Sequence, residues 1–174
     1  SAASDVYKRQ YLYWSLLATQ HLGAVPVPLY QDAVADEMEY ILTHCNSAYA
    51  IVGDQEQVDK IQDLSSKLEN LTDIVYVDPK GLRKYDKARL HSFESILEAG
   101  DKSGDKVQKE LQTRMDKITS QSTCVLIYTS GTTGKSKGVV QTHGAVIRTS
   151  MSANEHDGFC LLYTSPSPRD RIAS

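Results

Sequence analysis

An apolar run, Cys124-Val125-Leu126-Ile127, passes directly into Tyr128-Thr129-Ser130-Gly131-Thr132-Thr133-Gly134-Lys135-Ser136-Lys137-Gly138-Val139. The apolar run reads as a buried strand, so the chain must leave a sheet through a turn crowded with hydroxyls, glycines and lysines. Gly131, Gly134 and Gly138 lack a Cβ, which lets the backbone take positive φ and aim several N–H groups at one anion. The hydroxyls and the two ammonium groups add donors and charge. Together these residues predict a phosphate cradle at the end of a strand. A solvated Ser/Thr/Gly loop is the competing reading, favoured by composition alone and opposed by the density of donors.

Two common nucleotide motifs are excluded by spacing. Gly134-Lys135-Ser136 imitates the close of a Walker A loop, but that motif needs glycine at position 129, where this chain has Thr129. A dinucleotide fingerprint needs G-x-G-x-x-G opening a helix, which is not supplied here.

The rest of the chain supports an α/β protein. Tyr11 to Leu22 has helical apolar spacing and is followed by Gly23, a C-cap residue. Ala24 to Tyr30 reads as an extended edge segment because of Pro26 and Pro28. Asp32 is the expected cap of a helix carrying Met38, Ile41, Leu42 and Cys45 on one face, ended by Asn46. Ala48 to Gly53 reads as a buried strand, then a helix with Val58, Ile61, Leu64 and Leu68 inward, then a strand over Ile74 to Val77. This alternation predicts a mostly parallel sheet with helices on both faces. Gly81 to Leu90 reads as a charged loop, Ser92 to Ala99 as a short helix closed by Gly100, and Val107 to Ile118 as a solvated helix. After the cradle, residues 138–141 are expected to be extended, with Thr142 capping a helix over Gly144 to Ser152.

Composition narrows the function classes. The 174 residues carry a formal net charge of −3 with no basic stripe, which argues against a nucleic-acid partner. No apolar run approaches the roughly 18 residues of a membrane span, and the amino terminus has no signal-peptide pattern, so a cytoplasmic enzyme is the expectation. Cys45, Cys124 and Cys160 lack metal-ligand spacing and read as buried thiols. The five histidines are scattered. Among them His143 is open to two readings, a substrate contact or a hydrogen-bonded residue at a helix start.

The stretch from Tyr128 to Val139 closely resembles the signature loop of the adenylate-forming (AMP-binding) superfamily, the acyl-CoA synthetases, luciferases and peptide-synthetase adenylation domains. Their pattern is Tyr-Thr-Ser-Gly-Thr-Thr-Gly-x-Pro-Lys-Gly-Val. Ser136 stands where proline is usual, which frees φ at a cost of roughly 0.4–1 kcal/mol of pre-organisation. Residues 22–30 and 53–57 look most like bacterial long-chain fatty-acid–CoA ligases.

The resemblance implies part of a large amino-terminal domain. It also implies a two-step reaction using a fatty acid, ATP, Mg²⁺ and coenzyme A, with no nucleic acid, and leaves peripheral membrane contact open. Thr129, Ser130, Gly131, Thr132, Thr133, Gly134 and Lys137 would hold the ATP phosphates. Lys137 would act catalytically on the departing pyrophosphate, and Thr129 would help position Mg²⁺. Lys135 falls at a variable position and is expected to face solvent; Tyr128 is expected to pack. The downstream residues for Mg²⁺ and ribose, and the mobile domain with its adenylation lysine, are not found in this chain, so the polypeptide by itself is expected to be inactive. Two alternatives stay open: a superfamily ligase for an aryl, short-chain or amino-acid carboxylate, and a non-catalytic phosphate-binding module.

The ends are expected to be foreign to the protein. With suitable codons, the DNA for Asp5 to Gln10 is the reverse complement of that running from the last base of Phe159 through the codons after Cys160. An inverted repeat of this kind resembles the adapters left by transposase-based library preparation. Residues 1–10 and 160–174 are therefore read as adapter-derived, and 11–159 as the genuine fragment. Each end carries one net positive charge, so that fragment is more acidic than the whole chain.

Overall fold

The structure, a computed structural model, describes residues 2–129 and 136–157. Helix α1 spans Ala2–His21, starting well before the expected Tyr11. It ends as its sequence dictates. Gly23 takes φ +72°, and Ala24 N–H donates to Thr19 O while Gly23 N–H donates to Gln20 O, the paired bonds of a Schellman ending. Residues 24–30 form no strand; one backbone bond, Leu126 N–H to Pro26 O at 3.1 Å, ties them to a later element.

Helix α2, Ala35–His44, begins after Val34, whose side chain cannot cap it. Asp32 lies too far upstream to serve, so the expected cap is corrected; Asp36 and Glu37 favour the positive end of the helix from within its first turn instead. At the other end Asn46 adopts φ +54°, with Ser47 N–H donating to Leu42 O and Asn46 N–H to Thr43 O. Asparagine here takes the left-handed position that Gly23 takes after α1.

Strand β1, Tyr49–Val52, leads into α3, Gln55–Asp63, then β2, Asp73–Tyr76, and β3, Leu90–Ser92. The three strands form a parallel sheet in the order β1-β2-β3. The fold class is α/β, as the alternation of elements predicts. Met38 and Leu42 of α2, Ala50 of β1, Val58 and Ile61 of α3, and Ile74 and Tyr76 of β2 pack into one core with Leu64, Leu68, Leu71, Leu82 and Leu90. Strand β1 is buried on one face only: Ala50 is 7% exposed, whereas Tyr49 and Ile51 are 66% and 45% exposed. The expected buried strand is thus buried through Ala50 on one face, by simple period-two alternation.

The loop from β2 to β3 is not merely solvated. Leu82 opens a short 3-10 turn, Leu82–Lys84, and enters the core. The hydroxyl of Tyr85 donates to Asp59 Oδ1 of α3 at 2.6 Å and accepts from Gln55 Nε2 at 2.8 Å. Helix α4, Phe93–Asp101, is capped by Ser92 Oγ accepting from Ser95 N–H and runs through Gly100, which therefore does not close it. Helix α5, Gly104–Met115, buries no residue, in line with its charged sequence.

Across the parallel sheet, the Asp73 carboxylate of β2 meets His91 Nε2 of β3 at 2.9 Å. The His91 hydrogen bond foremost, with help from Thr72, holds this carboxyl below the ordinary 3.8. A lowered carboxyl pKa stabilises the fold above its unfolded value, and that contribution disappears as pH falls through the folded value. Asp73→Asn should therefore lower the melting temperature at about pH 6 and make little difference near about pH 2. A gap between the two proteins that widens in acid would refute the assignment.

Candidate functional site

Strand β4, Thr123–Thr129, and strand β5, Lys137–Thr142, form an antiparallel hairpin separate from the parallel sheet. Tyr128 pairs with Gly138 and Thr129 with Lys137. Ser130, Gly131, Thr132, Thr133, Gly134 and Lys135, which join the two strands in sequence, fall outside the described residues. The two remaining site residues, Thr129 and Lys137, sit opposite each other where the arms of the loop leave the hairpin.

Strand alternation divides the hairpin into two faces. Thr129 and Lys137 share one with Ile127 and Val139; the first pair is exposed, and the second pair is 40% and 39% exposed. Tyr128 lies on the opposite face with Leu126 and Cys124, and is 9% exposed. Its hydroxyl is 2.6 Å from His44 Nδ1 of α2, and its ring meets Tyr40 edge-on at 6.4 Å between centroids. Burial, with the neighbouring Cys45 and Tyr40, raises the phenol above its ordinary pKa. Tyr128 packs, as expected, and sequence reading missed its partner because 84 residues separate the two.

Gly138 has a different role from the one its sequence suggested. It is an ordinary strand residue in β5 and does not take positive φ. A Cβ there would lie 3.1 Å from Leu126 Cδ1, a tight approach, and 3.4 Å from Tyr128 Cζ, an ordinary contact, so glycine mainly spares the Leu126 side chain a small shift. On the descending arm, Ser136 Oγ donates to Glu37 Oε1 of α2 at 3.0 Å. At the base of the hairpin, Gln20 Nε2 of α1 donates to Cys124 O at 3.0 Å.

Helix α6, His143–Asp157, follows β5, and Thr142 Oγ1 caps it by accepting from Ala145 N–H at 3.2 Å. His143 N–H donates to Ser122 O at 3.0 Å. Half-buried, it also lines an open cleft of about 640 Å³ with Leu22, Val25, Glu110, Arg114 and Lys117. His143 thus stands at the helix start with its backbone N–H bonded. Cys124 is buried and Cys45 half-buried, both as free thiols, while Cys160 lies outside the described residues. No group of three or more His, Cys, Asp or Glu among the described residues could hold a metal ion. Thr129 offers one hydroxyl, too little to bind Mg²⁺ unaided. No helix among the described residues is long and apolar enough to cross a membrane.

Strands β4 and β5 thus carry the Thr129 hydroxyl and the Lys137 ammonium on an open face, beside a parallel α/β sheet. The family model for AMP-binding enzymes matches residues 8–172, and the chain belongs to that family. The long-chain-fatty-acid–CoA ligase ACSBG1 of Rattus norvegicus is 27% identical over 128 residues, covering 74% of this chain and 17% of the relative. The long chain acyl-CoA synthetase 4 of Arabidopsis thaliana is 32% identical over 153 residues, covering 81% and 22%. The chain thus spans about a fifth of the length of these curated relatives. Among solved structures, the anthranilate CoA ligase AuaEII in complex with anthranoyl-AMP superposes with a TM-score of 0.56 at 23% identity, over 79% of this chain and 24% of that one. A red-emitting luciferase from Phrixothrix hirtus gives 0.58 at 20% identity, over 88% and 34%. These likenesses establish the shared fold.

Proposed function

We propose that this chain is part of the amino-terminal domain of an ATP-dependent ligase that activates a long-chain fatty acid and passes it to coenzyme A in the cytoplasm. The observation that carries the reading is the hairpin: Thr129 and Lys137 face solvent at the mouth of a donor-rich turn while Tyr128 is anchored behind it. Sequence similarity to long-chain ligases supports the acyl substrate.

In this reading Thr129, Ser130, Gly131, Thr132, Thr133 and Gly134 cradle the β- and γ-phosphates of ATP with hydroxyls and backbone N–H groups. A carboxylate oxygen attacks the α-phosphorus and the bond to pyrophosphate breaks. Negative charge grows on the bridging oxygen, and the Lys137 ammonium stabilises it. The coenzyme A thiol then attacks the acyl carbonyl of the mixed anhydride, and AMP leaves. Mg²⁺ would neutralise phosphate charge, and Thr129 would help to position it, its single hydroxyl needing further oxygen ligands beside it.

Exposed apolar side chains on β5 and α6, among them Val140, Ile147 and Met151, support the view that more of the same domain packs here. The reading of residues 1–10 and 160–174 as adapter-derived, with 11–159 as the genuine fragment, belongs to this proposal and is tested by sequencing the genomic locus. The isolated chain should give only background carboxylate-dependent exchange of pyrophosphate into ATP. The full-length protein should exchange with long-chain acids in preference to aryl, short-chain or amino-acid carboxylates. Turnover by the isolated chain would refute the fragment reading, and a preference for another acid class would refute the substrate.

A further inference from the structure

The two arms of the loop are held by one helix. Glu37 and His44 are seven residues apart on α2, two turns, so they project from the same face. His44 Nδ1 engages the Tyr128 hydroxyl on the ascending arm at 2.6 Å, and Glu37 Oε1 accepts from Ser136 Oγ on the descending arm at 3.0 Å. Tyr40, on the turn between them, stacks on His44 at 5.5 Å and meets the Tyr128 ring edge-on. We propose that α2 is a positioning element for the phosphate loop. It grips both arms, and the Glu37–Ser136 bond supplies here the restraint that proline gives in the loops this one resembles.

The physical reason lies in the hairpin itself. Thr129 and Lys137 form the last described pair of the β4–β5 ladder. Ser136 is one residue beyond that pair, and a serine there leaves φ free where proline would fix it. A side-chain bond to a rigid helix restricts the same arm from outside the ladder. Neither Glu37 nor His44 would touch nucleotide; both act through the loop, and a small displacement of phosphate donors is costly to reactivity.

This inference rests on the nucleotide reading above, and the experiment separates the two. In the full-length protein, Glu37→Ala and Ser136→Ala should each raise KM for ATP in pyrophosphate exchange about three- to tenfold, and the double variant should be no worse than either, the mark of one shared interaction. Ser136→Pro in the Glu37→Ala background should restore KM, because the ring replaces the lost restraint. His44→Phe, which keeps the stacking on Tyr40 but removes Nδ1, should raise KM independently of position 37. A merely structural role for Glu37 would lower the melting temperature and leave proline without effect on KM. Additive penalties at 37 and 136, an unchanged KM, or failure of proline to rescue would overturn the inference while leaving the nucleotide reading intact. A full-length protein that exchanges no pyrophosphate with any carboxylate would overturn both.

Discussion

Replacing Lys137 by methionine in the full-length protein should slow adenylate formation by about 10²–10³-fold, the usual cost of losing one preorganised group that meets charge developing in a transition state. The expectation follows from position. Lys137 is the first residue of β5, paired with Thr129 and exposed on the open face of the hairpin. Methionine keeps the length of the stem and removes only the ammonium. The loss should appear mainly in kcat for pyrophosphate exchange, because charge on the bridging oxygen is greater in the transition state than in bound ATP. Transfer to coenzyme A from supplied acyl-adenylate should change far less, since no pyrophosphate leaves in that step. Lys137→Arg should recover part of the rate, with a charge of different shape and reach. Undiminished exchange by the methionine variant would remove Lys137 from the chemistry and return the open face of the hairpin to a solvated turn.

The parts of this fold that depend on local chemistry were legible in the sequence. Gly23 and Asn46 end their helices because left-handed backbone is cheap for those residues, and Thr142 starts one because its hydroxyl can accept a free N–H of the first turn. Core faces of α2 and α3 followed from helical spacing at Met38, Ile41, Leu42, Val58 and Ile61. What stayed hidden depends on partners far along the chain. The His44–Tyr128 and Glu37–Ser136 bonds join positions 84 and 99 residues apart, and no periodicity encodes them. The pairing of residues 137–142 with β4 was equally unreadable, since an extended segment carries no mark of its neighbour. Gly138 shows how a correct residue can be given the wrong reason. Glycine in a donor-rich run suggests backbone freedom, whereas here it is a strand residue whose missing Cβ gives room to the Leu126 side chain.

Leu82→Ala should be the most destabilising single change in the parallel-sheet half of the molecule, by about 2–5 kcal/mol. Its neighbours in sequence give no warning, for Arg83 and Lys84 follow it in a stretch that reads as a charged loop. Yet Leu82 is 1% exposed and belongs to the core that joins α2, α3 and the sheet. Gly81 makes this possible by adopting φ +84°, and Tyr85 ties the far side of the turn to Asp59 and Gln55 of α3. Truncation leaves a cavity that this braced loop cannot collapse to fill, so the cost should lie above that of simple transfer. Gly81→Ala should act through the same contact. A Cβ there is strained by the positive φ and collides with the Gln55 side chain, which would have to abandon Tyr85. Leu97 of α4, 48% exposed, is the control, and its replacement by alanine should fall within about 0.5 kcal/mol. Urea unfolding of the full-length protein, followed by a probe in the β1-β2-β3 region, would rank the three. Equal midpoints for Leu82→Ala and Leu97→Ala would show that the loop is not built into the core, and the bracing by Tyr85 would then be a surface contact without consequence for stability.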